Sequence, residues 1–204
     1  MIARTEAPLV AVYADESCLG NGRDGENPGG AGVLVELLHR TKLVRRDLWV
    51  SEPATTNNRM ALRSVIAAFH ALGRKGKALR VVFTTDSRYI IDGMQSWVHQ
   101  WDKRGWRRRG GDIVNLELWH EAVRAVGDQL VEWRWVRGHA GHPQNEYAND
   151  LAMRAAETQE SSGGLVDSGF DEWLQRRQQA GKLIVPEPFP LSAAFRAAPQ
   201  LPRL

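Results

Sequence analysis

The hydrophobic residues of this chain follow two different spacings along its length. Short runs rich in apolar and β-branched residues, each of strand length, occur at 9–15, 30–38, 42–50, 79–86 and 129–138. Elsewhere, apolar residues recur every three or four positions, which is typical of amphipathic helices, at 54–72, 87–101, 113–126 and 145–157. The order β-β-β-α-β-α-α-β-α predicts an α/β fold in which helices flank a mixed five-stranded sheet.

The sequence changes character after Glu157. The stretch "TQESSGG" resembles a linker, residues 170–181 have the pattern of a short helix, and prolines interrupt residues 185–191. We therefore predict a main domain over residues 1–158 and a C-terminal extension over residues 159–204. The extension is either partly flexible or docked on the domain through apolar residues such as Trp173, and the sequence leaves both alternatives open.

Length and composition narrow the class of protein. A chain of 204 residues is long enough for one full core, and its formal net charge is only +3. Its single cysteine, Cys18, excludes an internal disulfide and fits a reducing compartment. The N-terminus has no signal-peptide pattern, and no apolar stretch has the length of a membrane span. We expect a cytoplasmic monomer with no membrane partner.

A dense basic run suggests a nucleic-acid surface. In the segment "KRGWRRR", residues 103–109, five of seven residues are Lys or Arg and they surround Trp106. Such a run is commonly a solvated face, but a basic run with an interleaved tryptophan also suits a nucleic-acid backbone. We favour the second interpretation.

Two carboxylates follow apolar strands. Asp15 and Asp86 each come at the end of a predicted strand, and in open α/β sheets sites usually form at that edge. A single Asp there is commonly a cap or a turn residue, whereas two on neighbouring strands can ligate a divalent cation. Enzymes that hydrolyse phosphodiesters often use such carboxylates with two Mg²⁺ ions.

The predicted helix at 54–72 begins with more polar residues than capping needs. Thr55, Thr56, Asn57 and Asn58 can each cap a helix, and one cap is enough. The spare amides are therefore candidates for contact with a ligand.

Five sequence motifs resemble those of type 1 ribonuclease H. They appear in the family's order over roughly residues 8–157: "YADESCLGN", "TTNNRMAL", "TTDSRYIIDG", "WVHQWDKRGW" and "WVRGHAGHPQNEYANDLA". The resemblance implies the ribonuclease H fold and endonucleolytic cleavage of the RNA strand of an RNA–DNA hybrid. It also implies two Mg²⁺ ions per site, with Mn²⁺ as a substitute.

The resemblance assigns roles to individual positions. The catalytic and metal-binding positions are Asp15, Ala61, Asp86 and Asn149, and His139 matches a loop histidine that assists proton transfer or product release. The positions that match hybrid-binding residues are Asn21, Thr56, Asn57, Asn58, Trp97, Trp101 and Asn115. Glu146 matches a residue proposed to assist near the metals.

One motif departs from the family at its most important residue. The position after "TNNRM" is normally a glutamate that binds metal, and here it is Ala61, which can neither ligate a metal nor accept a proton. We therefore expect a chain that holds hybrid without cutting it, through either a deliberate substitution or natural decay. The alternatives are a natural hybrid-binding module that does not cleave and a nuclease of the same fold that acts on DNA.

Three further departures concern the same region. The family's fourth carboxylate falls on Asn149, and Asp150 comes one residue later, which is about 100° further around a helix. We assign Asn149 to the site and keep Asp150 as the alternative. Glu16 replaces a glycine beside Asp15 and adds negative charge, and residues 22–27 lengthen the loop after Asn21.

Overall fold

A computed structural model describes residues 7–20, 27–73, 78–181 and 184–204 of the chain. Its sheet has six strands in the order β5-β4-β1-β2-β3-β6. The strands are β1 Leu9–Cys18, β2 Gly29–His39, β3 Lys42–Glu52, β4 Arg80–Thr85, β5 Leu130–Trp135 and β6 Val166–Asp167. The α-helices are α1 Asn57–Gly73, α2 Arg88–Asp92, α3 Val98–Asp102, α4 Leu116–Val126, α5 Pro143–Thr158 and α6 Phe170–Gln179.

The predicted mixed α/β sheet is confirmed, with one more strand than the sequence indicated. β1 pairs antiparallel with β2 and parallel with β4, and β4 pairs parallel with β5. The sixth strand, β6, belongs to the C-terminal extension and pairs with β3. Two residues are too few to show the alternation by which strands are recognised in a sequence.

The register of the central strands brings the two predicted carboxylates together. Ala14 of β1 lies opposite Thr85 of β4, so Asp15 and Asp86 follow side by side. β1 does not end at Asp15, as the sequence suggested, but continues to Cys18 because it still pairs with β2 there.

Helices cover both faces of the sheet. α1 and α4 pack on one face around Phe69, Phe83 and Trp119, which are at most 1% exposed. α5 packs on the other face, where Gly32 of β2 permits close approach, since an added Cβ would collide with the Ala148 carbonyl oxygen. This close packing holds the N-terminus of α5 beside β1.

The helical segment predicted at 87–101 is interrupted. A π-helical turn, Gly93–Trp97, separates α2 from α3. The turn lies against Trp119, whose ring leaves no space for a Cβ at Gly93. An inserted residue of this kind shifts the faces of a helix, and such turns are frequent at functional sites.

The described part of the C-terminal extension is docked on the domain. Phe170 and Trp173 of α6 are buried against Tyr147 of α5. Residues 184–204, which we call the C-terminal strap, then cross to the opposite edge of the sheet, where the Ala198 amide donates to the Val131 carbonyl oxygen at 2.8 Å and Leu201 enters the main core. Among the described residues, no helix is both long and apolar enough to cross a membrane.

Candidate active site

Three carboxylates meet where β1 and β4 lie side by side. Asp15, Glu16 and Asp86 each offer an oxygen atom, and these atoms lie within 4.8 Å of one another. Asp15 is 6% exposed, and its Oδ1 accepts a hydrogen bond from the Glu16 amide at 2.8 Å. The cluster therefore has the oxygen ligands and the spacing that a hard divalent cation requires.

Burial raises the pKa of all three groups, and repulsion between the carboxylates adds to the shift for Asp15 and Glu16. Burial, followed by the charge of Asp86, raises the pKa of Asp15 from 3.8 to about 8. Burial and the charges of both aspartates raise the pKa of Glu16 well above its ordinary value. Burial also raises the pKa of Asp86, and the nearby charge of His139 partly opposes this shift. A bound cation would favour the ionised form of all three carboxylates.

Glu16 is the site residue to which the sequence analysis gives no role. Its Oε2 is buried and has no hydrogen-bond partner among the described residues. A buried carboxylate oxygen without a donor is costly unless a cation takes the donor's place. This observation shows that the residues present fit a divalent ion, and the Asp-Glu pair in "YADES" was the sequence signal for it.

Ala61 contributes no ligand to the cluster. It is 0% exposed and belongs to the apolar core on the α1 face of the sheet. Its carbonyl oxygen accepts from the Ser64 hydroxyl at 2.7 Å, within the helix. Position 61 therefore contributes packing, and Glu16 contributes the third carboxylate.

Three residues of α5 are candidates for the fourth position. Asp150 faces α6, because its Oδ2 accepts from Trp173 Nε1 at 2.6 Å and from Arg177 Nη2 at 3.2 Å. Asn149 is partly exposed, and its amide donates to Met153 Sδ at 3.4 Å. Asn145, one turn earlier, is the residue that touches the cluster.

Sequence reasoning missed Asn145. It is 1% exposed, and its Nδ2 lies 3.3 Å from Asp15 Oδ2 and 3.4 Å from the Ala14 carbonyl oxygen. Its spacing of four residues from Asn149 places both on one face of α5, and that spacing was the available signal.

Residues 138–142, which we call the histidine loop, lie next to the carboxylates. Gly138 packs so closely on Asp86 that an added Cβ would collide with its Oδ2. His139 follows in the left-handed conformation at φ 52° and is exposed to solvent. The loop ends at His142, whose ring nitrogen Nδ1 caps α5 by accepting from the Asn145 amide at 3.3 Å.

Three of the predicted hybrid-binding residues, Asn58, Trp97 and Trp101, line a groove beside the π-helical turn. The groove has a volume of about 400 Å³ and is lined by Asn58, Tyr89, Trp97, Trp101, Arg108, Ile113 and Val114. Trp97 and Trp101 pack on each other with ring centres 5.9 Å apart, and Asn115 donates to the Tyr89 hydroxyl at 3.4 Å. An aromatic groove with an arginine at its rim suits sugars and phosphates.

The polar residues at the start of α1 have different environments. The Thr56 hydroxyl accepts from the Arg59 amide at 3.4 Å, so it occupies a capping position. Asn58 is exposed, and Asn57 Oδ1 is buried without a partner among the described residues. Asn21 and residues 22–26 of the lengthened loop lie outside the described residues.

Comparison with known proteins agrees with this geometry. The RNase H family model matches residues 7–157. The chain belongs to the ribonuclease H family. Ribonuclease H of Syntrophotalea carbinolica is 41% identical over 148 residues, covering 72% of this chain and 90% of that protein. Ribonuclease H of Methylococcus capsulatus is 40% identical over 169 residues, covering 82% and 93%.

A solved structure resembles this ribonuclease H over nearly its whole length. The crystal structure of LC9-RNase H1 is that of a type 1 RNase H with the type 2 active-site motif. It is 68% identical to this chain and superimposes with a TM-score of 0.91, covering 96% of this chain and 94% of that one. The likeness includes the C-terminal extension, which the family model does not cover.

Proposed function

We propose that this chain is an endonuclease that hydrolyses the RNA strand of RNA–DNA hybrids at the cluster of Asp15, Glu16 and Asp86. The observation that carries the proposal is the Glu16 carboxylate, whose buried Oε2 has no hydrogen-bond partner among the described residues and which supplies the third acidic group that position 61 lacks. Membership of the ribonuclease H family supports the reaction class. The proposed active unit is the monomer, because one chain provides all three carboxylates.

The three carboxylates would hold divalent cations, for which we propose Mg²⁺ with Mn²⁺ as a substitute. Two such ions, when bound, activate the attacking water and stabilise the leaving oxygen. The chain's own contribution is to keep the three groups within 4.8 Å of one another in a largely buried position. Charge repulsion within the cluster makes an empty site costly and favours cation binding.

Two asparagines take the place of a fourth carboxylate in this proposal. Asn145 donates to Asp15 and so fixes the direction of that carboxylate. Asn149 lies one turn further along the same face of α5 and would offer a neutral oxygen ligand. His139, exposed next to Gly138, which packs on Asp86, is suited to carry a proton, a common role of histidine.

The groove and the basic run would position the hybrid. Asn57 and Asn58, together with Asn21, are proposed to contact the minor groove, where 2′-hydroxyls distinguish RNA from DNA. Trp97 and Trp101 would contact sugars of the DNA strand, and Thr56 and Asn115 one of its phosphates. The arginines at 107–109 are exposed and accessible to phosphates.

A second candidate function is favoured by one observation. Ala61 removes the glutamate that the family uses at this position, which suits a module that binds hybrid without cleaving it. The presence of Glu16 in the cluster argues for cleavage instead, since it supplies a third acidic group. The two functions differ in a direct assay.

The deciding experiment is a cleavage assay on an end-labelled RNA–DNA hybrid with Mg²⁺ and with EDTA. We expect the unaltered chain to cut only the RNA strand, and only with metal. Glu16→Gln should reduce the rate by roughly 100-fold or more while hybrid affinity is retained, because several kcal/mol of charge stabilisation are lost at about 1.4 kcal/mol per tenfold. Glu172→Gln, at the exposed start of α6, is the control and should leave the rate unchanged.

The opposite results have clear meanings. Tight hybrid binding without Mg²⁺-dependent cleavage by the unaltered chain would favour the non-cleaving module. Cleavage that survives in Glu16→Gln would remove Glu16 from the site. Recovery of cleavage by Ala61→Glu in the Glu16→Gln background would show that the two positions supply the same ligand.

A further inference from the structure

One residue of the C-terminal strap is bonded to the N-terminus of α5 through both its backbone and its side chain. The Glu187 amide donates to Gln144 Oε1 at 3.1 Å, and the Glu187 carbonyl oxygen accepts from Gln144 Nε2 at 2.7 Å. Its carboxylate contacts His142 Nε2 at 3.0 Å and Arg134 Nη1 at 3.1 Å. Three of these four bonds join residue 187 to residues 142–144 beside the active site, and the fourth joins it to Arg134 of β5.

The contact with Gln144 makes the strap part of the folded domain. The Gln144 side chain is 0% exposed, and both of its polar atoms are satisfied by the backbone of residue 187. Without the strap, the Gln144 side-chain amide would lose both of these partners. Gln144 directly precedes Asn145, which bonds to Asp15.

The hydrogen bonds of His142 select one tautomer of its neutral ring. His142 Nδ1 accepts from the Asn145 amide, so it carries no proton, and the ring proton of the neutral imidazole is on Nε2. Nε2 therefore donates to Glu187 Oε2. The ring also lies against Tyr13 of β1, with centres 5.6 Å apart. Glu187 thus stabilises the tautomer of His142 in which Nδ1 can cap α5.

The two ends of this short segment both reach the carboxylates. Gly138, four residues before His142, packs directly on Asp86, since a Cβ added at Gly138 would collide with Asp86 Oδ2. Asn145 follows three residues after His142 and donates to Asp15. A movement of His142 therefore changes the position of groups on both sides of the cluster.

We propose that Glu187 is a positioning residue for the ribonuclease reaction: through His142 and Gln144 it holds the histidine loop and Asn145 in register with Asp15 and Asp86. The inference rests on the proposed function. It assigns to the C-terminal strap a part in catalysis that the family's own domain, residues 7–157, does not contain. The proposal is based on direct hydrogen bonds from Glu187 to residues next to the site. Loss of such supporting contacts commonly lowers activity by 10- to 100-fold.

The test compares Glu187→Ala with Glu132→Ala. Glu132 is a matched control because it also pairs with Arg134, at 2.8 Å, and anchors the strap through the Arg196 amide at 2.7 Å, at a position away from the histidine loop. Both variants should unfold at a lower temperature. Only Glu187→Ala should lower kcat, by about tenfold, with KM nearly unchanged.

Two further measurements separate positioning from simple loss of stability. Glu187→Gln keeps an acceptor for His142 Nε2 and should recover most of kcat even though its ion pair with Arg134 is lost. Hydrogen exchange at the Asn145 amide should be faster in Glu187→Ala than in Glu132→Ala, and this readout needs no cleavage.

The outcomes distinguish failure of the positioning role from failure of the proposed function. Equal kcat values for the unaltered chain and Glu187→Ala, or equal losses in Glu187→Ala and Glu132→Ala, would overturn the positioning role while leaving the proposed function in place. An unaltered chain that never cleaves would overturn the proposed function, and exchange at Asn145 would then still decide whether Glu187 holds the loop.

Discussion

Asp15→Asn should make the metal-free protein more stable at neutral and alkaline pH. The folded protein retains the Asp15 proton up to a pKa of about 8, whereas the ordinary value is 3.8. Between these values the folded state binds more protons than the unfolded state, so the free energy of unfolding falls as the pH rises from about 4 to 8. Asparagine carries no charge to desolvate, and the variant should not lose this stability.

The structure limits the size of the effect. Each pH unit in that window is worth about 1.4 kcal/mol, so a window of about four units gives an upper limit of roughly 6 kcal/mol. One proton bound anywhere in the cluster relieves Asp15, Glu16 and Asp86 together, which reduces the share of any one group. We therefore expect Asp15→Asn to add roughly 2 kcal/mol at pH 8 and much less at pH 5.

The assay is urea unfolding in EDTA at pH 5 and pH 8, with and without added Mg²⁺. Mg²⁺ should stabilise the unaltered chain at pH 8, because a ligand that binds only the folded state shifts the equilibrium toward it. It should stabilise Asp15→Asn far less. Asp102→Asn, on an exposed helix end, is the control and should follow the unaltered chain. If Asp15→Asn is no more stable than the unaltered chain at pH 8, then ionisation of the carboxylate cluster does not destabilise the metal-free protein, and the reasoning is refuted.

Other substitutions test the remaining parts of the description. Gly138→Ala should reduce cleavage by at least tenfold with little change in hybrid affinity, because its Cβ would collide with Asp86, and a steady-state kinetic assay measures this. Trp173→Ala should lower the free energy of unfolding by about 3–5 kcal/mol, since it opens a cavity between α6 and α5, and a value near zero would show that the extension is not docked. Changing the arginines at 107–109 to Ala should lower the slope of log affinity against log salt by about one unit for each phosphate that the variant no longer neutralises, and an unchanged slope would make the run a solvated surface.

The fold can be predicted from the sequence because its pattern is local. The continuous apolar run in β2 and the helical spacing in α1 depend on neighbours in the chain, and the predictions of both elements are confirmed. The pairing of Ala14 with Thr85 is not local, but the two strands around it are recognisable, so the meeting of Asp15 and Asp86 is predictable too.

The missing parts of the site depend on three-dimensional neighbours. In the sequence Glu16 is only an excess charge, because the family pattern directs attention to Ala61, and the buried, unpartnered Oε2 alone gives Glu16 a role. Asn145 escapes notice because its one sequence signal, the spacing of four residues from Asn149, shows a shared helix face but not the bond to Asp15. The docking of the strap cannot be predicted because its anchors, Gln144 and His142, lie more than 40 positions away in the sequence.

The course of the C-terminal extension has a consequence for association between molecules. Open sheet edges are templates for pairing with another chain, and natural proteins cover them. In this fold one segment covers both: β6 pairs with β3 at one edge, and Ala198 bonds to Val131 of β5 at the other. Local release of residues 159–204 would therefore expose two edges at once, on opposite sides of the same sheet. A molecule with two such edges can join neighbours in a continuous row, so loss of the extension would lead to linear aggregates rather than to closed dimers.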